Sequence, residues 1–341
     1  MRHLITGGSG FFGNLLAKQL LARNETVRIL DLWEDPSRPK EIEYIEADIR
    51  DRKRVAQAME GIDIVHHNVA LVPLTKSKKG FYEVNVLGSR IAAEEAVTAK
   101  VKSFIYMSSS ALFANSRSPI YQNTPPNPIE AYGQTKLEGE QEVTRILNQH
   151  NVPLIVIRPR TILGEGRMGI FQILFDWIRA GKNVYIIGDG NVLFQFIHAH
   201  DLMDAYMLIL EKGKYGTYNV GTDTYSTLRK DLENLIAYAG SPSKVIGLPR
   251  GPAVNVLRTL YYLRLSPLVP LHYLTYGKEL YFDLTPLKEL GWKPKYSNEA
   301  MLRESYNASV RSRAQAEAEH MGSVHRKPVK EKILWLIKNL S

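Results

Sequence analysis

The chain opens MRHLITGGSGFFG (residues 1–13), a short apolar run followed by glycines at positions 7, 8, 10 and 13. Residues 1–6 read as a buried strand, and Asn14–Arg23 continues at helical period. A glycine turn between strand and helix suits one kind of ligand. Gly7 permits the tight turn, Gly10 lets backbone amides approach a pyrophosphate, and Gly13 lets the helix pack on the strand. The helix N-terminus adds partial positive charge at the same point.

Working outward, Thr26–Leu30 reads as a strand ending at Asp31, eighteen residues after Gly13. A carboxylate there accepts hydrogen bonds from ribose hydroxyls and repels a 2′-phosphate, which predicts NAD rather than NADP. Glu43–Ala47 is a further strand, and Asp48 at its end is an expected adenine contact. Arg52–Met59 (helix), Ile62–His66 (strand), Phe81–Ala99 (long helix), Ser103–Met107 (strand), Tyr132–Gln149 (long helix) and Leu154–Arg158 (strand, stopped by Pro159) follow in turn. This alternation predicts an α/β fold, a Rossmann-type doubly wound parallel sheet. Past Pro159 the pattern loosens. Met168–Ala180, Asp201–Leu210 and Ser226–Ala239 read as helices, and Val184–Ile187 and Phe194–Ile197 as short strands. The expected organisation is an NAD-binding domain over 1–159 and a smaller C-terminal substrate lobe over 160–310, partly threaded back onto the sheet. Residues 311–341 read as a flexible linker with a basic amphipathic helix.

The 341 residues are 44% hydrophobic and 23% charged, ordinary for a soluble globular protein. No cysteine is present, which excludes disulfides, thiolate metal sites and a thiol nucleophile and fits a reducing, cytoplasmic compartment. No signal peptide or membrane-spanning run is visible. Nearly all of the formal charge of +9 falls in the last third: residues 234–278 hold five basic and no acidic residues, and 311–341 hold seven basic and three acidic. No nucleic-acid motif accompanies the charge, so an anionic substrate or an anionic membrane surface is the expected partner. Residues 250–278 are unusually apolar, and Val329, Ile333, Leu336, Ile337 and Leu340 form one stripe of a basic helix. Peripheral membrane contact through 250–278 and 328–341 is one expectation for them. For the basic helix, docking on the protein's own surface or on a dimer partner is the other.

The second decisive stretch is Tyr132-Gly-Gln-Thr-Lys136, preceded by Ser108-Ser109-Ser110 at the end of a strand. Tyr132 and Lys136 stand at i and i+4, on one side of a helix. A phenol with a pKa of about 10 is a poor base at neutral pH. A neighbouring ammonium and a positive nicotinamide would draw it down, so Tyr132 is expected to take a proton from an alcohol, with Lys136 bonding the nicotinamide ribose and Ser110 holding the substrate oxygen. His66-His67 are expected to line the cofactor cleft. His198 and His200 have no visible third ligand, so no metal site is expected.

These residues resemble the extended short-chain dehydrogenase/reductases, the NAD-dependent epimerase/dehydratase superfamily, over roughly residues 1–310. Matching positions are Thr6–Gly13, Asp31, Asp48-Ile49, Asn85 within Val84–Gly88, Ser108–Ser110, Tyr132–Lys136, Arg158-Pro159, Phe196–Leu202 and Leu290–Pro294. The resemblance implies a Ser110/Tyr132/Lys136 active site. It also implies NAD bound by Gly7, Gly10, Phe11, Phe12, Gly13, Asp31, Asp48, Ile49, Val69, Ala70, Asn85, Ser108, Tyr132, Lys136 and Pro159. It further implies a homodimer through helices near 83–99 and 132–148. Three departures narrow the chemistry. Ala111 and Leu112 stand where the family's dehydratases carry an Asp-Glu pair. Phe194 and Gln195 stand where nucleotide-sugar epimerases begin with a diphosphate-gripping arginine. A second such arginine is not evident near Thr275–Lys278, although Lys278, Arg258 or Arg264 could substitute.

The leading expectation is NAD-dependent oxidoreduction at a secondary alcohol carbon, as a nucleotide-sugar epimerase. The apolar 252–276 segment and Lys278–Asp283 resemble the 3β-hydroxysteroid dehydrogenase branch, so a sterol-like or polyprenyl-linked alcohol dehydrogenase is the alternative. A non-catalytic NAD-binding regulator would need none of Ser110, Tyr132 and Lys136.

Overall fold

The computed structural model describes residues 1–72, 78–167, 169–263, 265–266 and 268–319. The expected basic helix at 328–341 lies outside the described residues.

Seven strands form one parallel sheet: β1 (Arg2–Thr6), β2 (Thr26–Asp31), β3 (Glu43–Glu46), β4 (Ile64–His67), β5 (Ser103–Met107), β6 (Leu154–Pro159) and β10 (Gly216–Val220), in the order β10-β6-β5-β4-β1-β2-β3. Neighbouring strand residues face opposite sides, and both sides are covered. Leu4, Leu30, Val65, Phe104 and Val156 pack with Ala92, Ala93 and Ala96 of α4 (Ser89–Thr98) and Val143 and Leu147 of α5 (Ala131–Gln149). Ile5, Ile29, Ile105 and Ile157 pack on the other side with Leu16 and Leu20 of α1 (Phe11–Leu21) and Leu202, Tyr206 and Ile209 of α7 (Ala199–Lys212). Burial on both faces explains why these strands read as apolar runs rather than alternating ones.

β10 and α7 both come from beyond Pro159, so the later part of the chain does return to the main sheet. β10 was not anticipated, because Gly-Thr-Tyr-Asn-Val carries little strand signal; its pairing with β6 decides it. The other late elements form two small sheets, β7 (Thr161–Leu163) with β9 (Phe196–His198) and β8 (Val184–Ile187) with β11 (Val245–Leu248). α6 (Phe171–Arg179), α8 (Leu228–Tyr238) and the start of α12 (Asn298–Glu319) enclose a core around Phe171, Phe175, Phe194 and Phe196. α12 runs to Glu319, so residues 312–319, expected in a linker, are helical. The unusually apolar segment 250–278 contains α9 (Arg250–Tyr262), none of whose residues is buried.

The helix before α4 is not uniform. Lys78–Tyr82 is α-helical, Glu83–Gly88 is a π turn, and α4 follows. The wide turn carries Asn85, which is fully buried. Inserted π turns often mark functional positions.

Under the site, Arg158 at the end of β6 forms a buried ion pair with Glu140 of α5, and the Ser108 hydroxyl donates to the same carboxylate. Arg158→Met should cost about 3–5 kcal/mol, because it strands a buried carboxylate. Arg158→Met/Glu140→Met should recover most of that loss. Urea denaturation of the three proteins checks this, and equal losses in single and double variants would contradict it.

Candidate active site

The glycine loop has the shape a dinucleotide requires. Gly7 has φ +72°, and a Cβ there would lie 2.9 Å from the Val69 amide nitrogen, so only glycine lets β1 and the loop after β4 come together. A Cβ on Gly13 would strike the Gly7 carbonyl and the Gly8 backbone. Gly10 caps α1 without a side-chain hydrogen bond, and the first turn holds no acid. The leading amides of Phe11 and Phe12 therefore have no partner within the helix. Asp31 accepts from the Ser9 amide at 3.0 Å and the Leu32 amide at 2.7 Å. The carboxylate thus stands at the end of β2 beside the glycine loop, where the adenosine ribose of a bound dinucleotide would lie. The residues present thus fit the adenosine ribose and pyrophosphate of NAD.

The other expected contacts divide. Val69 and Ala70 follow β4 beside Gly7 and are half-buried. Asn85 accepts from the Leu71 amide at 2.8 Å and donates to the Thr135 hydroxyl at 3.3 Å, so it ties the loop after β4 to α5. Asp48 is held by Arg50, whose Nη2 donates at 2.6 Å and which keeps the carboxyl below the usual range. The Ile49 side chain packs against Gly88. Pro159 closes β6.

α5 starts where it does because the Glu130 carboxylate caps it, accepting from the amides of Tyr132 at 2.8 Å and Gly133 at 2.6 Å. Tyr132 therefore stands in the first turn and Lys136 in the second. Lys136 is 1% exposed. Its ammonium donates to the Met107 carbonyl at 2.7 Å and to the Tyr106 hydroxyl at 3.2 Å, and lies 4.4 Å from the centre of the Tyr106 ring. Burial pushes it down to about 7, with Glu140 opposing.

Burial pushes the Tyr132 phenol up. The groups that oppose this are the Ser109 hydroxyl and Arg167; the Lys136 ammonium is turned toward the end of β5 instead. The hydroxyl beside the phenol is thus that of Ser109, whereas Ser110 begins a buried 3₁₀ turn (Ser110–Phe113) and has no hydrogen-bond partner among the described residues. The backbone explains the division: Ser109 is extended (φ −159°, ψ 150°) and caps the turn, so successive serines face different ways. Ala111 and Leu112 are buried in the same turn, so no carboxylate stands there.

His66 and His67 do not line the cleft. Both are fully buried beneath it. His66 lies between His3 and Tyr206 (2.9 and 2.7 Å), and His67 between Thr6 and Ser89 (2.9 Å each). Burial pushes His67 down to about 3, so it is neutral. His198 stacks on Tyr296 and meets Glu304 at 3.2 Å.

Sequence reasoning passed over Arg167. Its guanidinium lies 5.6 Å from the centre of the Phe11 ring and faces Tyr132, linking the glycine loop to the phenol. Only the chain path after β7 brings it there.

A glycine cradle, a carboxylate at the end of the second strand and a Tyr/Lys pair on one helix define a dinucleotide-dependent oxidoreductase. The NAD dependent epimerase/dehydratase family matches residues 3–221, and the chain belongs to that family, whose cofactor is NAD. The uncharacterized protein y4nG of Sinorhizobium fredii is 41% identical over 98% of this chain and 85% of its own length. A probable UDP-arabinose 4-epimerase 3 of Arabidopsis thaliana is 28% identical over 86% of this chain and 77% of its own. A 3beta-hydroxysteroid-dehydrogenase/decarboxylase of the same plant is 31% identical, but over 60% of this chain and 40% of its own. Among solved structures, the UDP-glucuronic acid 4-epimerase of Bacillus cereus in complex with NAD shares the fold at TM-score 0.75, with 20% identity over 91% of this chain and 99% of its own.

The Lys136 ammonium should leave a pH signature. Its folded value of about 7 lies below the lysine reference, so between pH 7 and about 10 the unfolded chain binds the extra proton and stability rises with pH. Lys136→Met should remove a rise on the order of 4 kcal/mol across that window. Chemical denaturation of both proteins at pH 6.5 and 9.5 checks this; equal slopes would contradict it.

Proposed function

We propose that the protein is a nucleotide-sugar epimerase that oxidises a sugar carbinol and reduces the ketone from its other face. The observation that carries the reading is the site itself: half-buried Tyr132 with buried Lys136 and Ser110, a set able to move a hydroxyl proton, with Ala111 and Leu112 leaving no acid–base pair for eliminating water. Similarity to a UDP-sugar epimerase across 86% of the chain supports the sugar over the sterol, whose relative matches a shorter stretch. The apolar 252–276 segment favours a lipid-like alcohol as the second reading.

Bound NAD supplies the hydride acceptor and donor. Tyr132 takes the hydroxyl proton and returns it. Ser109 holds the phenol by hydrogen bonding, and Ser110, buried with its hydroxyl open, holds the substrate oxygen. Lys136, charged when it meets a ribose hydroxyl, fixes the cofactor relative to Tyr132. We assign residues 1–159 to cofactor binding and 160–310 to the substrate. The half-buried Val84, Leu87, Ile91 and Leu137 on the π turn, α4 and α5 are the proposed homodimer face.

Among the described residues no helix is long and apolar enough to cross a membrane. α9 exposes Val256 and Tyr262, with Leu263 exposed just after it, in a stretch free of acids, and we propose peripheral contact of this face with anionic lipid from the cytoplasmic side.

Tyr132→Phe should lower turnover of UDP-sugars by about 10²–10⁴-fold and leave NAD binding intact. Equal loss of both would refute the role given to Tyr132. The purified enzyme should carry NAD through desalting, since an epimerase regenerates its cofactor; release of NADH in step with substrate would favour the dehydrogenase. Val256→Ser/Tyr262→Ser/Leu263→Ser should reduce co-sedimentation with phosphatidylserine vesicles several-fold, and unchanged binding would remove the lipid contact.

A further inference from the structure

Tyr106 lies on β5, fully buried, and side chains from two helices meet its hydroxyl. From α5 the Lys136 ammonium donates to it at 3.2 Å, and to the neighbouring Met107 carbonyl at 2.7 Å. From the start of α4 the Ser89 hydroxyl interacts with it. α5 passes so close that a Cβ on Gly139 would lie 2.8 Å from the Tyr106 oxygen and would strike the Asn85 carbonyl of the π turn. An ammonium has three hydrogens. Lys136 commits two of them here and keeps one.

Counting hydrogens gives each bond around Tyr106 a direction. The Ser89 hydroxyl donates its single hydrogen to the Asn85 carbonyl at 2.8 Å. Toward its other neighbours Ser89 can only accept. The contact with His67 Nε2 at 2.9 Å is therefore an N–H donated by the imidazole. A neutral ring then accepts at Nδ1, from the Thr6 hydroxyl at 2.9 Å. By the same count Tyr106 gives its hydrogen to Ser89 and turns a lone pair toward Lys136. Burial pushes the Tyr106 phenol up, so it keeps that hydrogen. The chain of bonds has one polarity, set at a backbone carbonyl that cannot donate.

This polarity favours one charge state of the lysine. Glu140, one turn on along α5, favours the ammonium, but its carboxylate already accepts from Arg158 and Ser108. His67 on β4 stacks on Tyr106 at 5.7 Å and is neutral, and the Tyr132 phenol on α5 is pushed up by burial. Among the described residues, the Met107 carbonyl and the Tyr106 oxygen are the direct acceptors of the ammonium. A neutral amine would carry a lone pair, and neither partner has a hydrogen to offer it.

We propose that Tyr106 is a positioning residue: with its own hydrogen spent on Ser89, its hydroxyl is a fixed acceptor that holds Lys136 charged and leaves one N–H for the cofactor. The proposal rests on the reading of Lys136 as the partner of the nicotinamide ribose only for what that last N–H does.

The test is urea denaturation of the full, nucleotide-free chain across the range from acid to alkaline pH. A lysine whose folded value lies below its unfolded one makes stability rise with pH from the folded value upward. In the wild type the rise due to Lys136 should begin at about pH 7. Tyr106→Phe removes the acceptor and leaves Ser89 bonded to Asn85 and His67, so the rise should begin about one pH unit lower. In a Lys136→Met background Tyr106→Phe should move nothing. Ser89→Ala frees the Tyr106 hydrogen to turn toward the amine. It should shift the onset the same way and add little to Tyr106→Phe. An onset that Tyr106→Phe leaves in place, or moves equally without Lys136, overturns the proposal. Fluorescence titration with NADH separates it from the cofactor reading. Tyr106→Phe should bind about tenfold more weakly than the wild type at about pH 8, and within about twofold at about pH 6. A shifted onset with equal NADH affinity in the two proteins leaves Tyr106 in its role and removes the ribose contact from Lys136.

Discussion

The contact on which the rest of the site depends is the one between α5 and the end of β5. The Lys136 ammonium is buried against the Met107 carbonyl and the Tyr106 hydroxyl, a bond between the helix that carries Tyr132 and the strand that leads into the serines. Burying an ammonium is unfavourable, and here it is tolerated because a carbonyl and an aromatic face replace part of its water. Fixing Lys136 fixes the first turn of α5, and Glu130 fixes its start. Tyr132 then has one position, beside Ser109 and facing Arg167.

Beneath that contact lies a continuous buried polar network. Tyr106 interacts with Ser89, Ser89 with His67, and His67 with Thr6 just before the glycine loop. Nearby, the Ser108 hydroxyl and Arg158 share the Glu140 carboxylate. Hydrogen-bonded polar groups inside a sheet protein hold one arrangement because any alternative leaves a group unpaired. The approach to the glycine loop and the body of α5 are both anchored in this layer.

Charge and apolar surface are set apart in the last third of the chain. The basic excess of the last third is not spread evenly. Lys278 and Arg250 gather near Tyr276, and Arg160 reaches the same ring from the sheet. α9, by contrast, presents its apolar side chains to solvent.

The fold class, the cofactor and the reaction type were legible in the chain, because local rules carry them. A glycine turn needs its glycines in sequence, a helix puts i and i+4 on one side, and an acid at a strand end is visible as such. β10 was not legible, since its strand character comes from pairing with β6 and not from its own residues. The division of labour between Ser109 and Ser110 was not legible either, because identical neighbours are told apart by φ and ψ alone. The direction in which Lys136 points, the upward push on Tyr132 and the burial of Arg160 all arise from burial among residues distant in sequence. Sequence therefore determined what chemistry the chain carries, and tertiary structure decided which side chains meet, because desolvation and hydrogen-bond partnership exist only after packing.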